Sequence, residues 1–161
     1  MKCCTFVFAV LLFASSIAKA QANKACGLLT PAELQSVVGG SLAGLNGGSM
    51  PGDVQICTGS APKARVMLRI ARAKGNSAAA AAKGVEIARK MGAQVDVKTF
   101  GPITCSSFIP PQDKQAYGFN TTCTVTKNDT VAGVEITAKN QADMVPIDKL
   151  HPLAEKMAGR F

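Results

Sequence analysis

The sequence predicts an α+β fold, in which helices pack on a mostly antiparallel sheet that two disulfides brace. Apolar and polar residues alternate along several short segments, as is typical of strands with one buried face. Turns rich in Gly, Pro and Asn join neighbouring segments, and strands joined in this way pair as hairpins. Capped amphipathic segments flank and separate the strands, so we expect helices to cover the sheet.

The first 20 residues have the organisation of a secretory signal peptide. A charged start, an apolar core and a small-residue cleavage site follow one another as Met1-Lys2, 5–14 and Ala18-Lys19-Ala20. The apolar core is about half as long as a bilayer-spanning helix, which argues against an uncleaved anchor. We therefore expect cleavage near Ala20 and export to the periplasm or the extracellular space. No transmembrane segment is expected in the mature chain.

Residues 21–161 are expected to form a single α+β domain. This stretch of about 140 residues is long enough for one hydrophobic core and too short for two. The chain has no Trp and only one Tyr, so aliphatic side chains must fill most of that core.

The chain is basic, with a formal net charge of +8, and much of this surplus falls near its centre. Four cations there form the candidate anion-binding patch: Arg65, Arg69, Arg72 and Lys74. Such a patch attracts anionic polymers or lipid headgroups, although a charged surface also keeps an exported protein in solution. Nucleic acid is not expected as a partner, because the aromatic stacking platforms of single-strand binders are missing.

A short capped helix is predicted at the start of the mature chain. Thr30 and Glu33 have the spacing of a capping box, and Pro31 suits the first helical position. Gly39-Gly40 ends the helix. The glycine-rich stretch 41–53 that follows predicts a loop or a weak edge strand.

Strands are predicted at 54–58 and 65–72, joined by a turn. Alternation puts Arg65 and Arg69 together on the solvent-facing side of the second strand. Alternate apolar residues of this strand and of later ones are expected to face the core: Val66, Leu68, Ile70, Val95, Val97, Val134 and Ile136.

A second helix is predicted to be capped by Asn76 or Ser77 and to run to Met91, where Gly92 ends it. Its expected packing face consists of small and apolar residues: Ala80, Ala81, Gly84, Ile87, Ala88 and Met91. The small side chains among them would let this helix lie close to the sheet.

The remainder of the chain predicts further strands and a closing helix. Strands are expected near 94–99, 103–108, 119–126 and 131–138, the last two joined as a hairpin by Lys127-Asn128-Asp129. The closing helix covers about 148–158. Pro152 is expected in its first turn, because proline is tolerated only there.

Four cysteines remain after the leader, and they permit three disulfide pairings: Cys26, Cys57, Cys105 and Cys123. The midpoint between Cys105 and Cys123 lies in the loop at 110–116, so these two can face each other across adjacent antiparallel strands. Cys26 then pairs with Cys57. A zinc site is the alternative, but the mature chain has no Cys-x-x-Cys pair and only one His.

The sequence nominates no catalytic residue. A secreted hydrolase that uses His151 as a general base is the enzymatic alternative. No nucleophile motif accompanies this histidine, and the glycines at 39–52 lack the Lys-Ser/Thr ending of a phosphate loop. We therefore expect no catalytic site, no metal and no cofactor.

The segment 25–33 (ACGLLTPAE), followed by Val37-Val38-Gly39, resembles the start of a family of exported bacterial cell-envelope domains of unknown function, many of which are lipoproteins. In this resemblance Cys57 corresponds to a second cysteine that bonds the first. The stretch 150–158 resembles the terminal helix of the family.

Two features depart from the family pattern. Thr58-Gly59 stands where a tryptophan often follows the second cysteine, and the polar pair Asn23-Lys24 replaces an apolar lipid-attachment signal. The resemblance implies a bacterial, extracytoplasmic binding or accessory module and no catalytic residues. We therefore expect a non-enzymatic envelope module whose partner is an unidentified envelope protein or an anionic polymer.

Overall fold

The computed structural model describes residues 23–161 with the exception of 74 and 76. The predicted leader (1–20), Lys74 and the proposed cap Asn76 lie outside these residues. The helices are α1 (Pro31–Val38), α2 (Ser77–Lys90) and α3 (Ile147–Ala158), and the strands are β1 (Ala43–Met50), β2 (Val54–Ser60), β3 (Ala64–Arg72), β4 (Gln94–Phe100), β5 (Ile103–Ile109), β6 (Phe119–Lys127) and β7 (Thr130–Ala138). Short 3₁₀ turns occupy Lys24–Gly27, Gln112–Tyr117 and Gln141–Asp143.

All seven strands belong to one sheet, in the order β1-β2-β3-β7-β6-β5-β4, and every neighbouring pair is antiparallel. Two meanders, β1 to β3 and β4 to β7, meet where β3 pairs with β7 from Ala64↔Ala138 to Arg72↔Thr130. The predicted α+β class with an antiparallel sheet is confirmed. The glycine-rich stretch after α1 forms the edge strand β1, which was one of its two expected forms.

One face of the sheet, here called the core face, is covered by α1, α3 and the 3₁₀ turn Lys24–Gly27. Its fully buried residues come from strands and helices alike: Val66, Leu68, Val134, Ile136, Leu34, Leu150 and Met157. Each such aliphatic side chain contributes roughly 1.5 to 3 kcal/mol by leaving water. The core therefore lies on one side of the sheet.

The capping box predicted for α1 is present. The backbone N–H of Glu33 donates to Thr30 Oγ1 at 3.3 Å, and the N–H of Thr30 donates to Glu33 Oε2 at 2.9 Å. Gly39 ends the helix with a φ of +65°, a conformation that glycine adopts without strain. Leu34 and Val38 are buried and Val37 is half-buried, so this side of the helix packs on the core.

The closing helix differs from its prediction in one respect. It begins at Ile147, so Pro152 lies in its second turn rather than in its first. Proline there removes the hydrogen bond to the carbonyl of Asp148. Both Asp148 and Pro152 are exposed, so water can solvate this carbonyl. The buried residues of the helix are apolar: Ile147, Leu150, Leu153, Ala154 and Met157.

The expectation that Val95 and Val97 face the core is wrong. Cys105 points into the core and pairs with Lys98, whereas Val97 pairs with Ser106, so the two valines lie on the opposite face. The physical reason is that β4 is an edge strand beside α3. Its core-facing Lys98 forms an ion pair with Asp148 of that helix, with an Nζ–Oδ1 distance of 3.0 Å.

Both predicted disulfides are present. The Cys26–Cys57 bond, with an S–S distance of 2.00 Å, ties the first 3₁₀ turn to β2. The Cys105–Cys123 bond, at 2.05 Å, joins β5 to β6 at directly opposed positions. In the part of the chain that the structure describes, no helix has the length and apolar character needed to cross a membrane.

Candidate functional site

The face of the sheet opposite the core, here called the outer face, is rich in hydroxyl groups. Residues that lie directly opposite each other on paired strands share a face, which assigns the set from the register. Across β4 to β7 and β3 the outer face carries Val95, Val97, Thr99, Thr104, Ser106, Phe108, Asn120, Thr122, Thr124, Thr126, Val131, Gly133, Glu135, Thr137, Arg65, Met67 and Arg69.

Helix α2 stands over one half of the outer face, above the strands from β4 to β7. Between helix and sheet lies a groove of about 740 Å³, here called the α2 groove. Its floor presents six hydroxyl side chains, from Thr99, Thr104, Ser106, Thr122, Thr124 and Thr126. Only that of Thr124 donates to a group within the described chain, the Thr104 carbonyl at 3.3 Å, so the others can bind water or a ligand.

The predicted packing face of α2 is only partly correct. Of its predicted residues only Ala88 is half-buried, and Ile87 and Met91 remain 49% and 66% exposed. The other three predicted residues are exposed as well: Ala80, Ala81 and Gly84. Val85, which was not predicted to pack, is half-buried. The helix is held at its C-terminal end, where Arg89 Nη2 donates to the Val95 carbonyl at 2.8 Å. Because α2 covers a hydroxyl-rich face and not the core, it can leave a groove beneath it.

Arg69 is the prominent charge in the α2 groove. It pairs with Gly133 across β3 and β7, and a Cβ atom on Gly133 would lie only 3.0 Å from Arg69 Nε. The missing side chain therefore makes room for the arginine to lie across β7. Among the residues that the structure describes, Arg69 finds no hydrogen-bond acceptor and no ion-pair partner.

Some other cations of the chain have carboxylate partners. Lys63 Nζ lies 2.9 Å from Asp143 Oδ1, and Arg160 Nη1 lies 2.8 Å from Glu33 Oε2. Within the described part of the chain Arg65, like Arg69, has no such partner. Both side chains are exposed on the outer face, so their donors are available to an external anion.

The structure brings together only part of the predicted anion-binding patch. Arg65 and Arg69 share the outer face, as the alternation predicts. Arg72 lies four residues after the buried Leu68. Because side chains alternate along a strand, Arg72 is on the core-face side of β3, opposite to Arg65 and Arg69. Lys74 lies outside the described residues. Arg65 also borders a smaller hollow of about 420 Å³ beside Asn46 and Thr58.

One carboxylate faces the α2 groove. Glu135 is half-buried, pairs with Thr122 across β7 and β6, and accepts a hydrogen bond from Thr137 Oγ1 at 3.4 Å. It lies two residues after Gly133 on the same face of β7, and Gly133 pairs with Arg69. The two opposite charges thus face the same groove without forming an ion pair.

His151, the histidine of the hydrolase alternative, lies in the second turn of α3. Its ring stacks on Phe100, with 4.0 Å between centroids, and its Nε2 lies 3.8 Å from Glu155 Oε1. None of the hydrogen bonds formed within the described residues joins it to a serine, threonine or cysteine. These contacts give His151 a packing role against β4.

Metal-binding side chains do not cluster in the described part of the chain, where no group of three or more His, Cys, Asp and Glu residues converges. The four cysteines are consumed by the two disulfides. The polar groups of the α2 groove are therefore its hydroxyls, the Glu135 carboxylate and two guanidiniums, that of Arg69 and that of Arg89, which donates to the Val95 carbonyl.

The α2 groove was not predicted from the sequence. The alternation of Thr122, Thr124 and Thr126 indicates a hydroxyl-bearing strand face, and Arg69 was already assigned to the solvent side of its strand. Joining these observations requires knowing that β3 lies beside β7, and that α2 crosses the outer face. No known family model, curated protein or solved structure matches this chain.

Proposed function

We propose that this protein is an exported, non-enzymatic binding module of the bacterial cell envelope that recognises an anionic partner through the outer face of its sheet. The observation that carries this proposal is the pair Arg65 and Arg69, exposed on one face and without an acidic partner in the described chain. With an extended rise of about 3.3 Å per residue, their Cα atoms are roughly 13 Å apart. An anionic polymer can span this distance.

Export is supported by the predicted leader and by the two disulfides. Disulfide bonds persist in oxidising compartments outside the cytosol. Intact-mass analysis of material released by the host should give a chain that begins at Gln21. A retained leader, or a lipid mass on Cys26, would contradict this part of the proposal.

The hydrolase alternative gains no comparable support. General-base catalysis needs a nucleophile within hydrogen-bond reach of the base. His151 is instead stacked on Phe100 and lies near Glu155. The binding role therefore explains more of the observed arrangement than an enzymatic one.

Retention on immobilised heparin, used as a model anionic polymer, tests the proposal. The Arg65→Ser/Arg69→Ser double variant should elute at clearly lower salt than the wild type, because exposed charges are screened by ions. The control is Lys24→Ser/Lys149→Ser, which removes the same charge from exposed positions on the core-face side. Both variants should keep the wild-type Tm, since surface substitutions usually change stability by less than about 0.5 kcal/mol.

Net charge alone would predict equal losses of retention in the two double variants. That result would overturn the assignment of the outer face as the binding surface. So would wild-type retention by Arg65→Ser/Arg69→Ser.

A further inference from the structure

We infer that the α2 groove binds a small organic anion with a single charged head and an apolar chain. This inference rests on the proposed function and names a ligand class for one part of the same outer face. It depends on three features of the groove. The guanidinium of Arg69 has no partner among the described residues, the walls are apolar, and the Glu135 carboxylate repels a second negative group.

The head of the ligand is assigned to the guanidinium of Arg69, whose side chain lies over Gly133. A Cβ atom on Gly133 would lie 3.0 Å from Arg69 Nε and 3.4 Å from Thr124 Cγ2, so the arginine fills the space left by the glycine and lies beside Thr124. A guanidinium donates two parallel hydrogen bonds to a carboxylate or phosphate, and such charge-assisted bonds are the strong ones. The hydroxyls of Thr122 and Thr126, on either side of Thr124 on the same face of β6, have no acceptor within the described residues, so either can donate a further bond.

The chain of the ligand is assigned to the apolar walls. Val97 and Val131 line the groove from the sheet, and Ala81, Ala82 and Val85 line it from α2. Val97 is 38% exposed although it sits beneath a helix, so its apolar surface is available to an alkyl group. The volume of about 740 Å³ lies within the range of small-molecule pockets, which is roughly 300 to 1,000 Å³.

Glu135 restricts the ligand to one anionic head. Its carboxylate faces the groove one step along β7 from Gly133 and has no cationic partner within the described residues. A second negative group at that level would meet this like charge at short range. Arg89, the other arginine of the groove, already donates to the Val95 carbonyl. Inside the groove, a ligand with one charged end therefore fits better than one with several negative groups.

Isothermal titration of the purified, disulfide-bonded protein with decanoate, below its micelle concentration, tests this inference. Decanol supplies the chain without the charge, and acetate supplies the charge without the chain. Decanoate should bind, and both partial probes should bind at least roughly tenfold more weakly, since each lacks one of two contributions of about 1.4 kcal/mol or more.

Three single variants locate the head. Arg69→Gln should weaken decanoate binding by roughly tenfold to a hundredfold, the scale of a lost charge-assisted hydrogen bond. Arg72→Gln removes the same charge from the other side of β3, and Arg65→Gln removes it from the outer face beyond the groove. Both should leave the affinity within about twofold, because charges in solvent are screened over such distances.

A fourth variant tests where the alkyl chain of the ligand binds. Ala81→Phe fills the groove from an exposed position of α2, so it should abolish decanoate binding without altering the Tm. Unchanged binding in either Arg69→Gln or Ala81→Phe would overturn the inference, as would an absence of binding by the wild type.

The decanoate titration and the heparin experiment can fail independently of each other. If heparin retention depends on Arg65 and Arg69 but no decanoate binds, the inference about the groove fails and the proposed function stands. If decanoate binds through Arg69 but heparin retention does not depend on the two arginines, the groove assignment stands and the polymer-binding proposal fails.

Discussion

The guanidinium of Arg160 holds both carboxylate oxygens of Glu33, with Nη1–Oε2 and Nη2–Oε1 distances of 2.8 Å. The same carboxylate accepts the backbone N–H of Thr30 at 2.9 Å, so a single side chain caps α1 and joins it to the end of the chain. Arg160 also donates to the Leu28 carbonyl at 2.9 Å. The contact closes the core face between α1 and the residues after α3.

The first prediction concerns acid stability. The hydrogen bonds to Glu33, above all that from Arg160, lower its pKa from 4.5 to about 2. Because the folded pKa lies below the unfolded value, the stabilisation is complete above pH 4.5 and is lost as the pH falls toward 2. The Glu33 side chain is still 17% exposed, so solvent screening limits the loss to about 1 to 2 kcal/mol. Denaturant unfolding measured between pH 7 and pH 2 gives this quantity.

Substitution of Arg160 tests whether its ion pair with Glu33 causes the loss of stability in acid. Arg160→Gln should lower the free energy of unfolding at pH 7 by about 1 to 2 kcal/mol and flatten its decline below pH 4.5. Lys156 Nζ lies 3.7 Å from Glu33 Oε1, so Lys156→Gln is the matched control. It should cost less than about 0.5 kcal/mol. An unchanged acid decline in Arg160→Gln would exclude this ion pair as its cause.

The second prediction concerns the buried hydroxyl of Thr121. This residue is fully buried, and its Oγ1 donates to the Val145 carbonyl at 2.5 Å, which fixes the segment before α3 against β6. Thr121→Val keeps the shape of the side chain but leaves the carbonyl without its donor, at a cost of about 1 to 3 kcal/mol. The control Thr122→Val makes the same change on the outer face and should alter the unfolding free energy by less than about 0.5 kcal/mol. Equal effects of the two variants would contradict the hydrogen bond.

The third prediction tests the register of β3. Leu68 is fully buried on the core face, so Leu68→Ala should cost about 2 to 5 kcal/mol of unfolding free energy. Met67, its neighbour in the chain, is half-buried on the outer face, and Met67→Ala should cost less than about 1.5 kcal/mol. Chemical denaturation of both variants measures the difference. A loss below about 0.5 kcal/mol for Leu68→Ala would show that the register is wrong.

Local signals in the sequence were sufficient for much of the secondary structure. The capping box of Thr30 and Glu33 involves neighbouring residues only, so it predicted α1 without knowledge of the fold. Alternation in β3 and β7 likewise predicted buried Val66 and Val134, because their core face is covered by helices along its length. The Cys105–Cys123 pair followed from the symmetric spacing of two adjacent strands.

Features that depend on distant parts of the chain were not predictable in this way. Alternation in β4 identified a strand, but it could not tell which face of that strand meets the core. Val95 and Val97 lie beneath α2 because the core side of this edge strand meets the polar end of α3 at Asp148. The α2 groove has the same origin, since Arg69 and Thr124 become neighbours only through the pairing of β3 with β7 and of β7 with β6.

The last prediction concerns the order in which the two disulfides are reduced. Cys105 and Cys123 are both completely buried, whereas Cys26 is partly exposed next to its buried partner Cys57. Thiol–disulfide exchange requires access of the attacking thiolate to a sulfur atom. Mild reduction of the native protein should therefore open Cys26–Cys57 first and leave Cys105–Cys123 intact until the protein unfolds.

Peptide mapping under non-reducing conditions, after alkylation at successive times, follows both bonds. The untreated protein should yield the Cys26–Cys57 and Cys105–Cys123 links and no free thiol among these four cysteines. Cys105→Ser should lower the unfolding free energy by about 2 to 5 kcal/mol and leave a Cys123 thiol that reacts only in denaturant, because this position is buried. Recovery of a Cys26–Cys123 link would contradict the pairing of β5 with β6, and early reduction of Cys105–Cys123 would contradict its enclosure beneath α3.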